Sequence, residues 1–407
     1  MDISLYKDPS AMNPLFPEGD EKLRDLAIDL LKRSAALSSA LHPITREAIA
    51  RLIEPMNSYY SNLIEGHNTH PLDIEKALKK DFSTEPKKKE LQLESFAHVK
   101  TQKRMKARLS EGDSDVGSAD FIKWLHKEFY NDMPIEFRVS KTKNGETINV
   151  IPGEVRTGEV TVNNHIAPAA DSVGLFMARF SEAYDPKKIT DTVKRIIAVA
   201  ASHHRLAWIH PFQDGNGRVV RLHSEALFIK EKMDGNGLWC ISRGLAIHNM
   251  EYYSALHNAD LGRQGDYDGR GNLSNKFLLE FCIFFLETAL DQVNFMAELL
   301  DIDSALDRIS KYVDLMSVTK GMRNEAKHIL QEAFLKGRVG RGEAMRLTGK
   351  KESTARAVMK QLIAEGLLVE KEGELKGALY IAFPVKVAPY LFPKLYPKDI
   401  EATLAME

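Results

Sequence analysis

The stretch that decides how this chain is read is His210-Pro211-Phe212-Gln213-Asp214-Gly215-Asn216-Gly217-Arg218-Val219-Val220-Arg221. It gathers a titratable imidazole, a carboxylate, two glycines flanking an amide, and two arginines three residues apart. The residues that follow place Val220, Leu222, Ala226, Leu227 and Ile229 at helical spacing. Asp214-Gly215-Asn216-Gly217 therefore stands at a helix start, where free N–H groups beside glycines make an anion cradle. Arg218 and Arg221 lie at i and i+3, so both guanidinium groups project from one side of the first turn toward that anion. The set suits the handling of a polyphosphate.

Upstream, residues 189–206 read as a hydrophobic helix leading into Trp208-Ile209-His210, so the motif is the turn of a helix-loop-helix. Residues 170–183, 91–109 and FIKWLHKEFYNDM add further helices. Before them, LRDLAIDLLKRSAALSSAL and ITREAIARLIEPMNSYYSNLIEG repeat apolar residues three and four apart, with Pro43 and Pro55 as punctuation. Ser61 and Glu65 share a face of the second helix, and Gly66 is its natural C-cap. Taken alone, Glu65 reads as a solvated carboxylate. Between residues 139 and 164 the texture changes: VIPGEVRTGEVTVNNHIAP predicts a hairpin, with turn signals at Thr157-Gly158 and Asn163-Asn164. Downstream come an NMEYYSALHNADL helix, a glycine-rich loop, and one long helical stretch from 274 to about 315.

At 407 residues the chain has room for two or three domains. Lys and Arg (56) nearly balance Asp and Glu (57), so no global field favours nucleic acid or membrane. Two cysteines make no disulfide framework and suit a reducing, cytoplasmic setting. The start of the chain, residues 1–20, reads as an extended arm without the apolar core of a signal peptide. The most apolar run, 277–290, carries Glu280 and Glu287 and predicts a buried helix rather than a membrane span. His203 and His204 lack the spacing of a zinc site, and Asp234-Gly235-Asn236-Gly237 lacks the flanking His and Arg and reads as a turn.

From about Gly321 the chain looks separate. Three short helices and then two strands around a glycine-bearing turn predict a winged helix-turn-helix, with residues 353–365 as its recognition helix. Eight Lys/Arg against two Glu between Lys336 and Lys360 make a basic patch suited either to DNA or to protein docking and dimerisation. The expected division is 1–110, an N-terminal helical region; 111–315, a core; 321–385, the winged helix; and 386–407, a tail.

The opening stretch resembles the Fic family, matching the signature H-x-F-x-[DE]-G-N-G-R-x-x-R at every position. The resemblance implies a mainly α fold: a Fic-type helical core with a small β-hairpin flap, joined here to the C-terminal winged helix. It implies transfer of a nucleoside monophosphate, usually AMP from ATP, to a protein hydroxyl, with release of pyrophosphate. His210, expected near its ordinary pKa, would be the general base. Asp214 would hold Mg²⁺. Gly215, Asn216 and Gly217 would steady the α-phosphate, and by resemblance Arg218 the β- and Arg221 the γ-phosphate. Ser61-x-x-x-Glu65-Gly66 matches the family's inhibitory motif [ST]-x-x-x-E-[GN], which implies that Glu65 competes with the γ-phosphate for Arg221. Val155, Arg156, Thr157, Gly158, Glu159, Val160, Thr161, Val162 and Asn163 stand where the family's flap docks its target by strand pairing. Tyr252, Tyr253 and Asp260 stand where it forms the adenine pocket, although a core role suits the tyrosines equally. The partners implied are ATP and a protein substrate, this chain included, with a homodimer and DNA admitted. Two alternatives stay open: a Fic-fold transferase with another donor (UMP, phosphocholine or phosphate), and a nucleotide-sensing DNA-binding regulator acting through the winged helix.

Overall fold

The computed structural model describes residues 6–19, 21–112, 114–141, 147–162, 165–371, 373 and 377–406. Four helices come first: α1 (Glu21–Ser39), α2 (Pro43–Ile64), α3 (Pro71–Leu78) and α4 (Pro86–Ser110). Proline opens α2, α3 and α4, where its missing N–H has no partner to lose. The Lys87-Lys88-Lys89 run forms the exposed first turn of α4. Pro55 does not break α2, although an interior proline typically costs ~3 kcal/mol. Every residue from 55 to 62 is buried, and that packing holds the helix through the missing hydrogen bond.

Next come α5 (Ala119–Asn131) and two short antiparallel hairpins, β1 (Val139–Lys141) with β2 (Thr147–Asn149), and β3 (Thr161–Val162) with β4 (His165–Ile166). The hairpin expected in this segment forms, but its paired part is shorter than the docking flap read over 155–163. Only Thr161 and Val162 pair, with Ile166 and His165. Val155, Arg156, Thr157, Gly158, Glu159 and Val160 belong to no strand, and Asn163 lies outside the described residues. The reason is local: the Arg156 N–H donates to Pro211 O at 2.9 Å, so this backbone is tied to the core instead of to a ladder. The β1–β2 pair was not anticipated, because strands of three residues carry too few positions to show alternation.

The centre is helical: α6 (Val173–Ala183), α7 (Thr192–Ile209), α8 (Asn216–Lys230), α9 (Ile241–Ile247), α10 (Asn249–Ala259), α11 (Asn275–Leu299) and α12 (Ile302–Lys320). α11 is the buried post against which α1, α7, α9 and α10 pack, with Phe281, Cys282, Phe285 and Leu286 fully enclosed. No described helix is long and apolar enough to cross a membrane. The stretch 274–315, expected as one helix, is two. Asp301 N-caps α12 by accepting from Ser304 N at 3.0 Å.

The rest comprises α13 (Ala326–Lys336), β5 (Arg338–Gly340), α14 (Ala344–Thr348), α15 (Glu352–Ala364), β6 (Leu368–Val369) and β7 (Ala378–Ile381), with the strands antiparallel in the order β5-β7-β6. The section does not stand apart from the core. Its buried side chains join an apolar cluster that runs from Ala11 to Leu404, and Thr45 Oγ1 on α2 donates to Phe334 O at 2.6 Å. The expected tail packs on the body as far as it is described, to residue 406: α16 (Ala388–Leu391) and α17 (Lys398–Met406) fold back, with Leu395 and Tyr396 buried. The Tyr60 hydroxyl on α2 donates to Leu395 O at 2.9 Å. The N-terminal arm packs likewise, Arg205 donating to Pro14 O at 2.8 and 3.0 Å.

Candidate active site

The loop between α7 and α8 holds its own shape. His210 ends α7 in the left-handed region, φ 50°, which non-glycine residues seldom adopt. Its carbonyl accepts from Arg156 Nε at 2.9 Å, and the same guanidinium donates to Gly158 O and Pro168 O. Arg156 is buried, so it fixes the histidine and is not presented to a target. Phe212 is fully enclosed and stacks on His126, with centroids 4.0 Å apart and planes 9° off parallel. His126 Nδ1 accepts from Gly153 N at 2.8 Å, which leaves Nε2–H to donate to Asp214 O at 3.3 Å. The Asn216 side chain, expected at the phosphate, accepts from Phe212 N at 2.9 Å and donates to Phe212 O at 2.8 Å. It staples the loop. Gly215 starts α8 at φ 78°, and a Cβ there would lie 2.8 Å from the Tyr130 ring.

Beside this loop lies a cavity of about 290 Å³. Its lining includes His210, Asn216, Gly217 and Arg221 from the motif, and His165, Trp208, Tyr252, Tyr253 and Asp260 from around it. Asp214, Gly215 and Arg218 are not on that wall. Tyr252 is buried with its hydroxyl 2.8 Å from His203 Nε2, while exposed Tyr253 donates to Ile64 O at 2.9 Å. Asp260 lies 3.1 Å from His165 Nδ1 and 3.2 Å from His204 Nε2. A more open groove of about 820 Å³ lies between α2, α3 and the C-terminal sheet, but none of the motif residues reaches it.

Ser61 and Glu65 meet the motif directly. Arg221 Nε donates to Ser61 Oγ at 3.0 Å, and Nη2 donates to Ser61 O at 2.9 Å and to Glu65 Oε1 at 2.6 Å. Glu65 caps the C-terminus of α2, and Gly66 follows at φ 83°. The Glu65 carboxylate lies against Gly217, so it occupies the cradle at the start of α8. α2 is fixed there by buried polar contacts, Asn57 to Glu225, Ser58 to Ser95 O and Asn62 to Ser95 Oγ.

Burial raises the Glu65 pKa, but the Arg221 and Arg218 guanidiniums outweigh it and hold the carboxyl below its ordinary value. Burial raises that of Asp214, despite the N–H of Gly215 at 2.7 Å. His210 does not sit near its ordinary pKa. Burial, then the neighbouring His165 ring and Arg156 guanidinium, holds its imidazole well below 6.5, so it is a neutral acceptor across the physiological range.

With this geometry in hand, known proteins supply a comparison. A model of the Fic/DOC family matches residues 117–228, from the start of α5 to near the end of α8. Residues 117–228 are thus similar to a Fic/DOC domain. The matched span contains His210 through Arg221 and the segment 155–163, whereas Ser61, Glu65, Gly66, Tyr252, Tyr253 and Asp260 lie outside it. A relative described as protein adenylyltransferase Fic, from Nematostella vectensis, is 27% identical over 173 residues, 42% of this chain and 36% of the relative. One of the same description from Drosophila erecta is 37% identical over 78 residues, 19% of this chain and 16% of the relative. The chain thus spans little more than a third of the length of these relatives at most. Fic-1 (residues 134–508) from C. elegans superposes with a TM-score of 0.50 at 15% identity, over 68% of this chain and 72% of that one, so the fold is shared.

Around the motif the structure adds residues that the sequence did not mark, His126 under Phe212, His165 at Asp260 and Glu94 of α4, which forms an ion pair with Arg218, and it gives Arg156, read as part of the flap, a place on His210. Each is separated from its partner by tens of residues, and helical periodicity does not distinguish an inward carboxylate such as Glu94 from a solvated one.

Proposed function

We propose that this chain is an autoinhibited protein adenylyltransferase that moves AMP from ATP to a Ser, Thr or Tyr hydroxyl of a target protein or of itself. The observation that carries this reading is the engagement of Arg221 by Ser61 and Glu65 at the head of the helix that follows His210. The curated relatives' description as adenylyltransferases supports the same activity.

In this reading neutral His210 accepts the proton of the attacking hydroxyl. The hydroxyl oxygen bonds to the α-phosphorus as the bond to the bridging oxygen of the β-phosphate breaks, and pyrophosphate leaves. The N–H groups of Gly215 and Gly217 steady the α-phosphate, where losing one such donor typically costs ~3 kcal/mol of barrier. Arg218 and Arg221 take the outer phosphates. Tyr252, Tyr253 and Asp260 surround the nucleobase. Asp214, with a side chain 42% exposed, suits Mg²⁺, which keeps waters and phosphate oxygens beside one or two carboxylates. Among the described residues no cluster of three or more His, Cys, Asp or Glu could hold a metal, so an ion at Asp214 would depend on phosphate oxygens and water for most of its ligands. That ion would neutralise phosphate charge. The β3–β4 hairpin, whose outer edge has no described strand partner, would receive the target's backbone. The buried free cysteines Cys240 and Cys282 agree with a reducing cytoplasm.

Intact-mass spectrometry of the Glu65→Gly protein with Mg²⁺ and each nucleoside triphosphate in turn tests reaction and donor together. A mass gain of one AMP, with ATP alone and abolished by EDTA, is expected. A UMP adduct would replace the donor, and no adduct with any nucleotide would remove the reading. Because the His210 pKa is lowered by burial, the acidic limb of kcat/KM should fall below pH 6.5. A limb at or above 6.5 would exclude His210, in this environment, as the base.

A second reading has support in the C-terminal section, whose helices, three-stranded sheet and exposed α15 have the order of a winged helix-turn-helix. Its basic patch is largely compensated. Lys336, Arg341, Arg346, Lys350 and Arg356 all pair with carboxylates, which weakens the field that a DNA backbone would meet. We therefore favour protein docking for this section, and expect no salt-dependent duplex binding by the full chain.

A further inference from the structure

Both motif arginines have a carboxylate partner, but the two pairings differ. Arg221 gives Nε and Nη2 to the end of α2, so its donors are taken by Ser61 and Glu65. Arg218 is held by its two terminal nitrogens. Its Nη1 pairs with Glu94, its Nη2 lies 3.5 Å from Asp214 Oδ1, and its guanidinium carbon stands 5.1 Å over the Phe129 ring. Nε has no hydrogen-bond partner among the described residues.

Glu94 is itself fixed. Its side chain is 4% exposed, and its second oxygen lies 2.6 Å from His67 Nδ1. α4 is locked to its neighbours by Ser95, which meets Ser58 and Asn62, and by Gln102, which donates to Glu225. A buried ion pair is a poor stabiliser, since an apolar pair of similar volume is often as stable. Its use is orientation.

We infer that Glu94 is a positioning residue: it holds the Arg218 guanidinium by Nη1 and leaves the buried Nε without a protein partner, for the second phosphate of a nucleotide to meet once Glu65 is displaced. Glu65 blocks its arginine, and Glu94 aims one. The inference rests on the reading under which Arg218 meets the β-phosphate, and it concerns binding rather than transfer. It also joins the two carboxylates, because His67 follows Glu65 by two residues and bonds Glu94.

The test is calorimetric titration of the full chain with AMP, ADP and ATP in the presence of Mg²⁺, in a Glu65→Gly/His210→Ala background, where Arg221 is free and transfer is off. Adding Glu94→Gln should weaken ADP and ATP about tenfold and leave AMP unchanged, as outer-shell partners of a binding group do. Glu94→Asp, which keeps the charge and shortens the reach, should give a smaller loss of the same pattern, and serves alone if Glu94→Gln does not fold. Unchanged ADP and ATP affinities would overturn the inference. So would tighter ADP binding, which would make Glu94 a second brake, or equal loss for all three nucleotides, which would mean collapse of the cavity. If no nucleotide gives a mass adduct yet the ladder appears as stated, the adenylyltransferase reading fails and the positioning role stands.

Discussion

Replacing Glu65 by glycine is expected to raise incorporation of label from α-labelled ATP by about 100-fold. Arg221 is 2% exposed and Glu65 28%, so their pair is largely shielded from water. Breaking a buried pair typically costs ~3–5 kcal/mol, and partial exposure places this one near the lower figure. At ~1.4 kcal/mol per decade that is close to 100-fold. The same factor follows independently from geometry, because a misplacement of about 1 Å at the reacting atoms costs ~100-fold. α2 is pinned by Asn57, Ser58, Asn62 and Tyr60, so release in the wild type needs only the Glu65 side chain and the turn after it to move. Equal labelling by wild type and variant, measured by scintillation or intact mass, would mean that the contact with Arg221 does not restrain the chemistry.

The second large effect belongs to His210. In the Glu65→Gly background, His210→Ala should lower the transfer rate by ~10²–10⁴, the range general bases supply, with ATP affinity changed little. The split matters, because His210 sits in a left-handed turn held by Arg156. If the alanine merely loosened that turn, ATP affinity would fall together with the rate. Arg156→Ala offers the complement: it keeps the imidazole but frees its carbonyl, and should lower kcat through misplacement. Activity persisting in His210→Ala would assign the base elsewhere.

What the sequence disclosed and what it hid follow from the range of the interactions. The start of α8 was legible because its requirements are local: Gly215 needs φ 78° next to Tyr130, and helical spacing resumes at once after Gly217. The face shared by Ser61 and Glu65 was legible from i, i+4 spacing, but its target on α8 came only through resemblance. Partnerships across helices left no local trace. Glu94 reads as any helix carboxylate until α4 is laid beside α8. The flap read over 155–163 is unpaired through Val160, because Arg156 has three carbonyls to satisfy and these hold its segment to the core. Asn216, read as a phosphate ligand, also closes the loop on Phe212, a demand that its spacing did not disclose. The break at Asp301 and the strand at Arg338–Gly340 were missed because a single cap or three residues carry little periodic signal.

In the proposed switch Arg221 has two competing partners, Glu65 and the third phosphate of a nucleotide. Titration of AMP and ATP into His210→Ala and into His210→Ala/Glu65→Gly measures that competition without turnover. The account predicts that ATP binds the double variant at least about tenfold more tightly, with AMP affinity the same in both. Equal ATP affinities would contradict it.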